Sequence, residues 1–132
     1  MMEMQIQNTA VGQFVSTILS SRVQTQILHW QVGGVGSDAA HRALEFYYDG
    51  VMPILDDLVE SYQGKYSIIG GYSNVDLMEF TDCSDLVKYM TALSMFLERG
   101  RTQMPQDSYI QNQIDEITSL TFKTLYRLKR LK

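Results

Sequence analysis

The chain has 132 residues, of which 45% are apolar and 20% are charged. This composition is typical of one globular domain over residues 1–132, and it excludes intrinsically disordered and collagen-like proteins. The net charge of −4 argues against a generally basic nucleic-acid-binding protein. The single cysteine, Cys83, excludes an internal disulfide and a cysteine-based zinc site. We therefore expect a cytoplasmic protein with no signal peptide and no membrane-spanning segment.

The first half of the sequence predicts two long amphipathic helices. Apolar residues recur at intervals of three and four from about residue 9 to residue 32, and again over residues 37–64. The apolar positions of the first helix are Val11, Phe14, Val15, Ile18, Leu19, Val23, Ile27 and Trp30. Those of the second are Ala40, Leu44, Tyr47, Val51, Ile54, Leu55, Leu58 and Tyr62. Ser37 or Asp38 is expected to cap the second helix, and Pro53 inside it predicts a bend.

The second half predicts a long connection followed by two further helices. The connection carries turn-forming glycines, and a short helical turn is expected at residues 75–80. The third helix is predicted over residues 84–101 and the fourth over residues 107–131, with Asp107 or Ser108 as its cap. No segment is predicted to be a strand. We expect an all-α four-helix bundle with a long crossover between the second and third helices, which is the ferritin-like arrangement.

Five residues of the first two helices form a candidate metal-binding set. The only two histidines, His29 and His41, flank the glycine-rich turn between these helices. His41 and Glu45 are four residues apart, and Asp56 and Glu60 repeat that spacing further along the same helix. Because residues four apart are neighbours on a helix, and Glu45 and Asp56 are separated by about three turns, all four share one face. Imidazole and carboxylate ligands suit iron, with manganese or zinc as alternatives.

The length of the second helix limits how these ligands can be combined. Glu45 and Asp56 are separated by a helical rise of ~16 Å. One metal therefore cannot be bound by both halves of the set in the same chain. Two copies of the helix, antiparallel about a two-fold axis, would instead pair the histidine end of one copy with the Asp56 and Glu60 end of the other. Such a dimer would contain two identical sites.

The segment Leu-His-Trp-Gln-Val at residues 28–32, followed by Gly34 and His41, resembles the first ferroxidase motif of the Dps family, DNA-binding proteins from starved cells. That family has two histidines 12 residues apart, an acid four residues later, and then an aspartate and a glutamate on the same helix. This sequence has ligand-type residues at all five spacings. The resemblance implies catalysis by these five residues of Fe(II) oxidation, with peroxide preferred over oxygen, in an iron-storage shell of twelve subunits. It also implies a second, weaker iron bridged by Glu60.

Two other functions stay open. The chain could be a helical homo-oligomer that kept the fold without metal chemistry and serves as an interaction or structural protein. It could also contact DNA phosphates through the basic residues near its C-terminal end, Lys123, Arg127, Lys129, Arg130 and Lys132. Cations in the last turns of a helix also complement the helix dipole, and we expect this second role for them.

Overall fold

The computed structural model describes the backbone of residues 2–132 and the side chains of residues 9–132. Within this range the chain forms four α-helices, one short 3₁₀ turn at Arg101–Gln103, and no strand. The helices are α1 (Met2–Gln31), α2 (Ser37–Lys65), α3 (Cys83–Gly100) and α4 (Ser108–Arg130). The all-α four-helix bundle is therefore confirmed. Among the described residues, no helix is both long enough and apolar enough to cross a membrane.

The ends of the helices differ from the predicted caps. Gly36 precedes α2 with a left-handed φ of 79° and no side-chain cap, so the capping role predicted for Ser37 or Asp38 was wrong. Asp107 precedes α4, but its carboxylate accepts hydrogen bonds from the hydroxyls of Tyr66 and Tyr109 and none from a backbone amide of α4. Pro53 lies inside α2, which continues through it as one helix from Ser37 to Lys65.

Side-chain contacts define the directions of the helices. Ser21 and Tyr47 share a hydrogen bond of 2.6 Å midway along α1 and α2, and these helices are antiparallel because the turn between them is short. The amide of Gln113, near the start of α4, donates to Ser61, near the end of α2. α4 is therefore antiparallel to α2. The extensive α1–α2 and α2–α4 packing places α2 between the other two helices.

The crossover at residues 66–82 lies extended along α1. The side-chain amide of Gln24 donates to the carbonyl of Met78 at 2.8 Å, and its oxygen accepts from the Met78 N–H at 2.7 Å. Further along, the Phe80 N–H donates to Gln31 at 2.8 Å. These bonds use backbone groups that a helix would have paired internally. The helical turn predicted for residues 75–80 was therefore wrong.

The crossover begins with a close approach to α1 at Gly12. A Cβ atom at Gly12 would lie 2.0 Å from the carbonyl oxygen of Gly70, so only glycine fits there. Just beyond, the Ser73 N–H donates to the hydroxyl of Ser16 at 3.0 Å. The crossover thus runs beside α1 from its N-terminal half towards its C-terminal end. It returns the chain to the end of the bundle where α2 began, and α3 starts there.

The core matches the predicted apolar positions on α2 but differs on α1. On α4 it contains all six apolar positions that helical spacing predicts, Ile110, Ile114, Ile117, Leu120, Leu125 and Leu128. All the predicted α2 positions are buried except Ile54, which is half-buried. On α1, three residues of the apolar pattern, Leu19, Val23 and Trp30, are 40%, 39% and 69% exposed and lie outside the core. The core side of this half of α1 is formed by polar and apolar side chains together, namely Ser21, Gln24, Thr25, Leu28 and His29. Hydrogen bonding lets such polar groups be buried, which apolar periodicity cannot anticipate.

Candidate metal centre

The structure brings His29 and His41 into direct contact. His29 lies in the last turn of α1 and His41 lies one turn into α2, and the short connection at residues 32–36 holds the two positions side by side. Their imidazole rings stack with centroids 3.5 Å apart and planes inclined by 17°. His29 is buried, with 7% of its surface exposed, and His41 is half-buried. The stacked pair therefore packs at the junction where α1 ends and α2 begins.

Two reciprocal hydrogen bonds fix the tautomer that these rings adopt when they are neutral. The Nδ1 of His29 lies 2.7 Å from the carbonyl oxygen of His41, and the Nδ1 of His41 lies 2.8 Å from the carbonyl oxygen of His29. A carbonyl oxygen can only accept, so each Nδ1 must carry the proton and donate it. In the neutral rings each Nε2 is then unprotonated and has a lone pair available. This is the tautomer in which metal-ligating histidines are held.

Tyr48 packs against the histidine pair, and Arg22 lies over Tyr48. The ring of Tyr48 meets the ring of His29 edge-on with centroids 5.3 Å apart, and the guanidinium of Arg22 lies 5.7 Å from the Tyr48 centroid. Desolvation raises the pKa of Tyr48, as do the nearby carboxylates of Glu45 and Asp49, so the Tyr48 hydroxyl stays protonated. Tyr48 therefore contacts the histidine pair and lies near the Glu45 carboxylate.

Asp56 and Glu60 lie on the exposed surface further along α2. Fifteen residues of helix separate His41 from Asp56, a rise of ~22 Å. Among the described residues of one chain, no three histidine, cysteine, aspartate or glutamate side chains lie close enough together to hold a metal. The structure therefore brings His29 and His41 together, but it does not bring Glu45 into a three-residue cluster with them.

The predicted site residues share one surface, which we call the α1/α2 face. It is defined on α1 by Leu19, Arg22, Val23, Gln26, His29 and Trp30, and on α2 by His41, Glu45, Tyr48, Met52, Asp56, Val59 and Glu60. Each α2 member lies three or four residues from another member, as neighbours on one side of a helix do. Arg22 and Gln26 were missing from the predicted site. Their spacing of seven and three residues before His29 is the signal that could have identified them.

Fold and site together define an all-α four-helix bundle with one long crossover and a histidine pair at the junction of its first two helices. The chain belongs to the family of unknown function DUF5856, which it matches over residues 35–128. That stretch contains His41, Glu45, Asp56 and Glu60, whereas His29 precedes it. No curated protein and no solved structure matches the chain.

Proposed function

We propose that two copies of this protein associate through their α1/α2 faces about a two-fold axis and bind Fe(II) at two shared sites. In each site His29, His41 and Glu45 come from one copy, and Asp56 and Glu60 come from the partner subunit. The protein then oxidises Fe(II) with peroxide or oxygen, which would serve iron storage and protection against oxidants. Assembly of such dimers into a closed shell of twelve subunits is part of this proposal.

The histidine pair is the observation that carries the proposal. The Nδ1 protons of both rings are donated to backbone carbonyls, so each neutral ring has its Nε2 lone pair available to a cation. Because the stacked rings lie in nearly parallel planes, one ring must turn before both can bind the same ion. The similarity of the residue spacing to the Dps ferroxidase motif adds independent support.

In this proposal the partner subunit supplies the two carboxylate ligands that one chain cannot bring to its own histidines. Asp56 and Glu60 are exposed and cannot reach the histidines of their own chain, because ~22 Å of helix lies between them. In an antiparallel pair of α2 helices, Asp56 and Glu60 of the partner subunit lie beside the histidines instead. Glu45 lies one helical turn from His41 and is exposed, so a rotation of its side chain can bring its carboxylate to the cation.

The exposed apolar side chains and the carboxylates of the α1/α2 face together favour association in the presence of a cation. Leu19, Val23 and Trp30 expose 39–69% of their surfaces on α1, and burying them against a second copy is favourable. The same association brings carboxylates of both copies together, which is unfavourable because like charges repel. A bound divalent cation offsets this repulsion. Metal binding and dimer formation should therefore strengthen each other.

The chemistry treats Fe(II) as substrate. Each Fe(II) gives up one electron, so one hydrogen peroxide molecule oxidises two Fe(II) ions and, with two protons, yields two water molecules. Carboxylate oxygens bind the harder Fe(III) product more strongly than Fe(II), which favours the oxidation. The chain's contribution is to hold Fe(II) on the imidazole nitrogens and carboxylates while open coordination positions admit the oxidant.

An oxidation assay with a matched pair of variants tests the site. Metal-free protein is mixed anaerobically with Fe(II) and peroxide, and ferric absorbance is followed against a protein-free control. Glu60→Ala should lose most of the protein-dependent rate, whereas Asp57→Ala should keep it. Both side chains are exposed on α2, but Asp57 lies outside the α1/α2 face, so the two variants should be equally well folded by circular dichroism. A wild-type rate in Glu60→Ala would reject the site.

A second function, a metal-independent structural homo-oligomer, is favoured by one observation. Within the described part of a single chain there is no three-residue ligand cluster, and the core that holds the four helices together is formed by apolar side chains. Such a protein would associate equally well with and without divalent cations and would not accelerate iron oxidation. The assay above and a measurement of oligomeric state in the presence of a chelator separate the two functions.

A further inference from the structure

A cavity of about 500 Å³ opens at the end of the bundle where α2 and α3 begin and α4 ends. Its size falls within the range typical of small-molecule sites, roughly 300–1,000 Å³. Most of its wall is apolar, and the side chains that form it are Val35, Ala40, Leu86, Val87, Leu128 and Leu131. Ala40 and Leu86 belong to the buried core, so the cavity reaches inward between the helices. An alkyl chain is the kind of group that such a wall would accept.

The polar part of the cavity is cationic. Lys88, Lys129 and Lys132 line it, and among the described residues no aspartate or glutamate side chain does. Lys88 has one ion-pair contact, with Asp85 at 4.0 Å, and this contact is solvent-exposed on the lysine side and therefore weak. Within the described part of the chain, Lys129 and Lys132 form no salt bridge.

The backbone adds to this positive potential. α2 and α3 both begin beside the cavity, and a helix N-terminus carries a partial positive charge. Gly36 and Cys83, which stand at these two starts, are themselves part of the lining. The C-terminal end of α4 contributes the opposite partial charge, but Arg127, Lys129 and Arg130 in its last turn offset it. The cavity therefore has an apolar wall, and the groups beside it are positively charged.

From this combination we infer that the cavity binds a single-chain amphipathic carboxylate, a fatty-acid-like anion. The alkyl chain lies against the apolar wall, and the carboxylate lies among the three lysines. This inference is independent of the proposed iron site, because none of the five proposed metal ligands lines the cavity. The volume of about 500 Å³ accommodates one alkyl chain of moderate length.

Calorimetric titration with dodecanoate, below its micelle concentration, tests the inference on the full-length protein. We expect saturable binding of one dodecanoate per chain. Dodecyltrimethylammonium has the same tail and the opposite charge, so it should bind at least about tenfold more weakly if the lysines recognise the head group. Equal affinity for both amphiphiles, or no saturable binding of dodecanoate, would overturn the inference.

A charge-matched pair of variants locates the binding. Replacement of the three lining lysines by glutamine (Lys88→Gln, Lys129→Gln and Lys132→Gln together) should weaken dodecanoate binding about tenfold. The control has three exposed cations elsewhere replaced in the same way, Lys65→Gln, Arg99→Gln and Lys123→Gln, and should bind like the wild type. An equal loss in both triple variants would mean that only net charge attracts the anion, and the cavity would be rejected.

Cys83 reports on occupancy directly. It is the only cysteine of the chain, it is half-buried, and it lines the cavity. Its alkylation by N-ethylmaleimide, followed by mass spectrometry, should become several-fold slower at saturating dodecanoate and unchanged with dodecyltrimethylammonium at the same concentration. Dodecanoate binding that leaves the alkylation rate unchanged would place the anion outside this cavity and overturn the inference.

Discussion

Replacement of Gly12 by alanine is expected to destabilise the protein even though alanine favours helix formation. Alanine in the interior of α1 gains up to ~1 kcal/mol in helix propensity. Against this gain, the new Cβ would lie 2.0 Å from the carbonyl oxygen of Gly70 and 2.9 Å from the carbonyl carbon of Gly71. Both neighbours are backbone atoms, so the crossover itself must move.

The loss of stability in Gly12→Ala can be worked out from the contacts that this movement disrupts. Relief of an overpacked contact costs about 1–3 kcal/mol. The displaced crossover also weakens the hydrogen bond from Ser73 to Ser16, which is worth about 0.5–1.5 kcal/mol. With the propensity gain subtracted, Gly12→Ala should lower the free energy of unfolding by roughly 1–3 kcal/mol.

Urea unfolding followed by far-ultraviolet circular dichroism measures this change. Gly64→Ala is the matched control, since Gly64 is also helical and a Cβ there would meet nothing within 4 Å. That variant should be unchanged or stabilised by up to about 1 kcal/mol. If Gly12→Ala proves as stable as Gly64→Ala, the crossover does not lie against α1 at this point.

Two further predictions concern acid stability and assembly. Hydrogen bonds from the Ser84 hydroxyl and amide lower the pKa of Asp82 from its ordinary 3.8, so its stabilising effect is present above that value and is lost as the pH falls through the lowered pKa. Asp82→Asn should therefore lack this part of the acid dependence of the melting temperature, and parallel curves for variant and wild type would contradict it. Zinc, which is redox-inactive, should promote dimer formation in sedimentation velocity and shift the fluorescence of Trp30, the only tryptophan, to shorter wavelength. No change in either signal would contradict metal-linked association.

Helical periodicity predicted the architecture well because the long helices of this bundle bury continuous apolar stripes. The α4 positions Ile110, Ile114 and Ile117 are fully buried, as their spacing predicts. The predictions failed where hydrogen bonds from polar side chains determine the backbone conformation. The crossover is extended because Gln24 and Gln31 bind its backbone, and neither residue's role is visible in an apolar pattern.

Helical spacing also made part of the candidate site predictable. Spacing identified the face shared by His41, Glu45 and Asp56, and the short turn predicted that His29 and His41 would be near each other. The stacking of the two rings and their reciprocal bonds to backbone carbonyls depend on the angle at which α1 and α2 meet, which the sequence does not specify. The exposure of Trp30 was missed because its spacing resembles that of a core residue.

The claim that each metal site is shared between two copies is tested most directly by mixing two inactive variants. His41→Asn removes the ring Nε2, while the asparagine amide can still donate a hydrogen bond to the carbonyl of His29. Glu60→Ala removes a ligand that the partner subunit is proposed to supply. Dimers of either variant alone have a defect in both sites, whereas a mixed dimer has one intact site and one site with both defects.

The two variants should be co-refolded in equal amounts, and iron oxidation by peroxide should be compared with that of each variant alone. Half of the dimers formed at random are mixed, and each has one intact site of two, so the mixture should regain about a quarter of the wild-type rate. A rate no higher than the average of the two separate variants would contradict a site built from two copies.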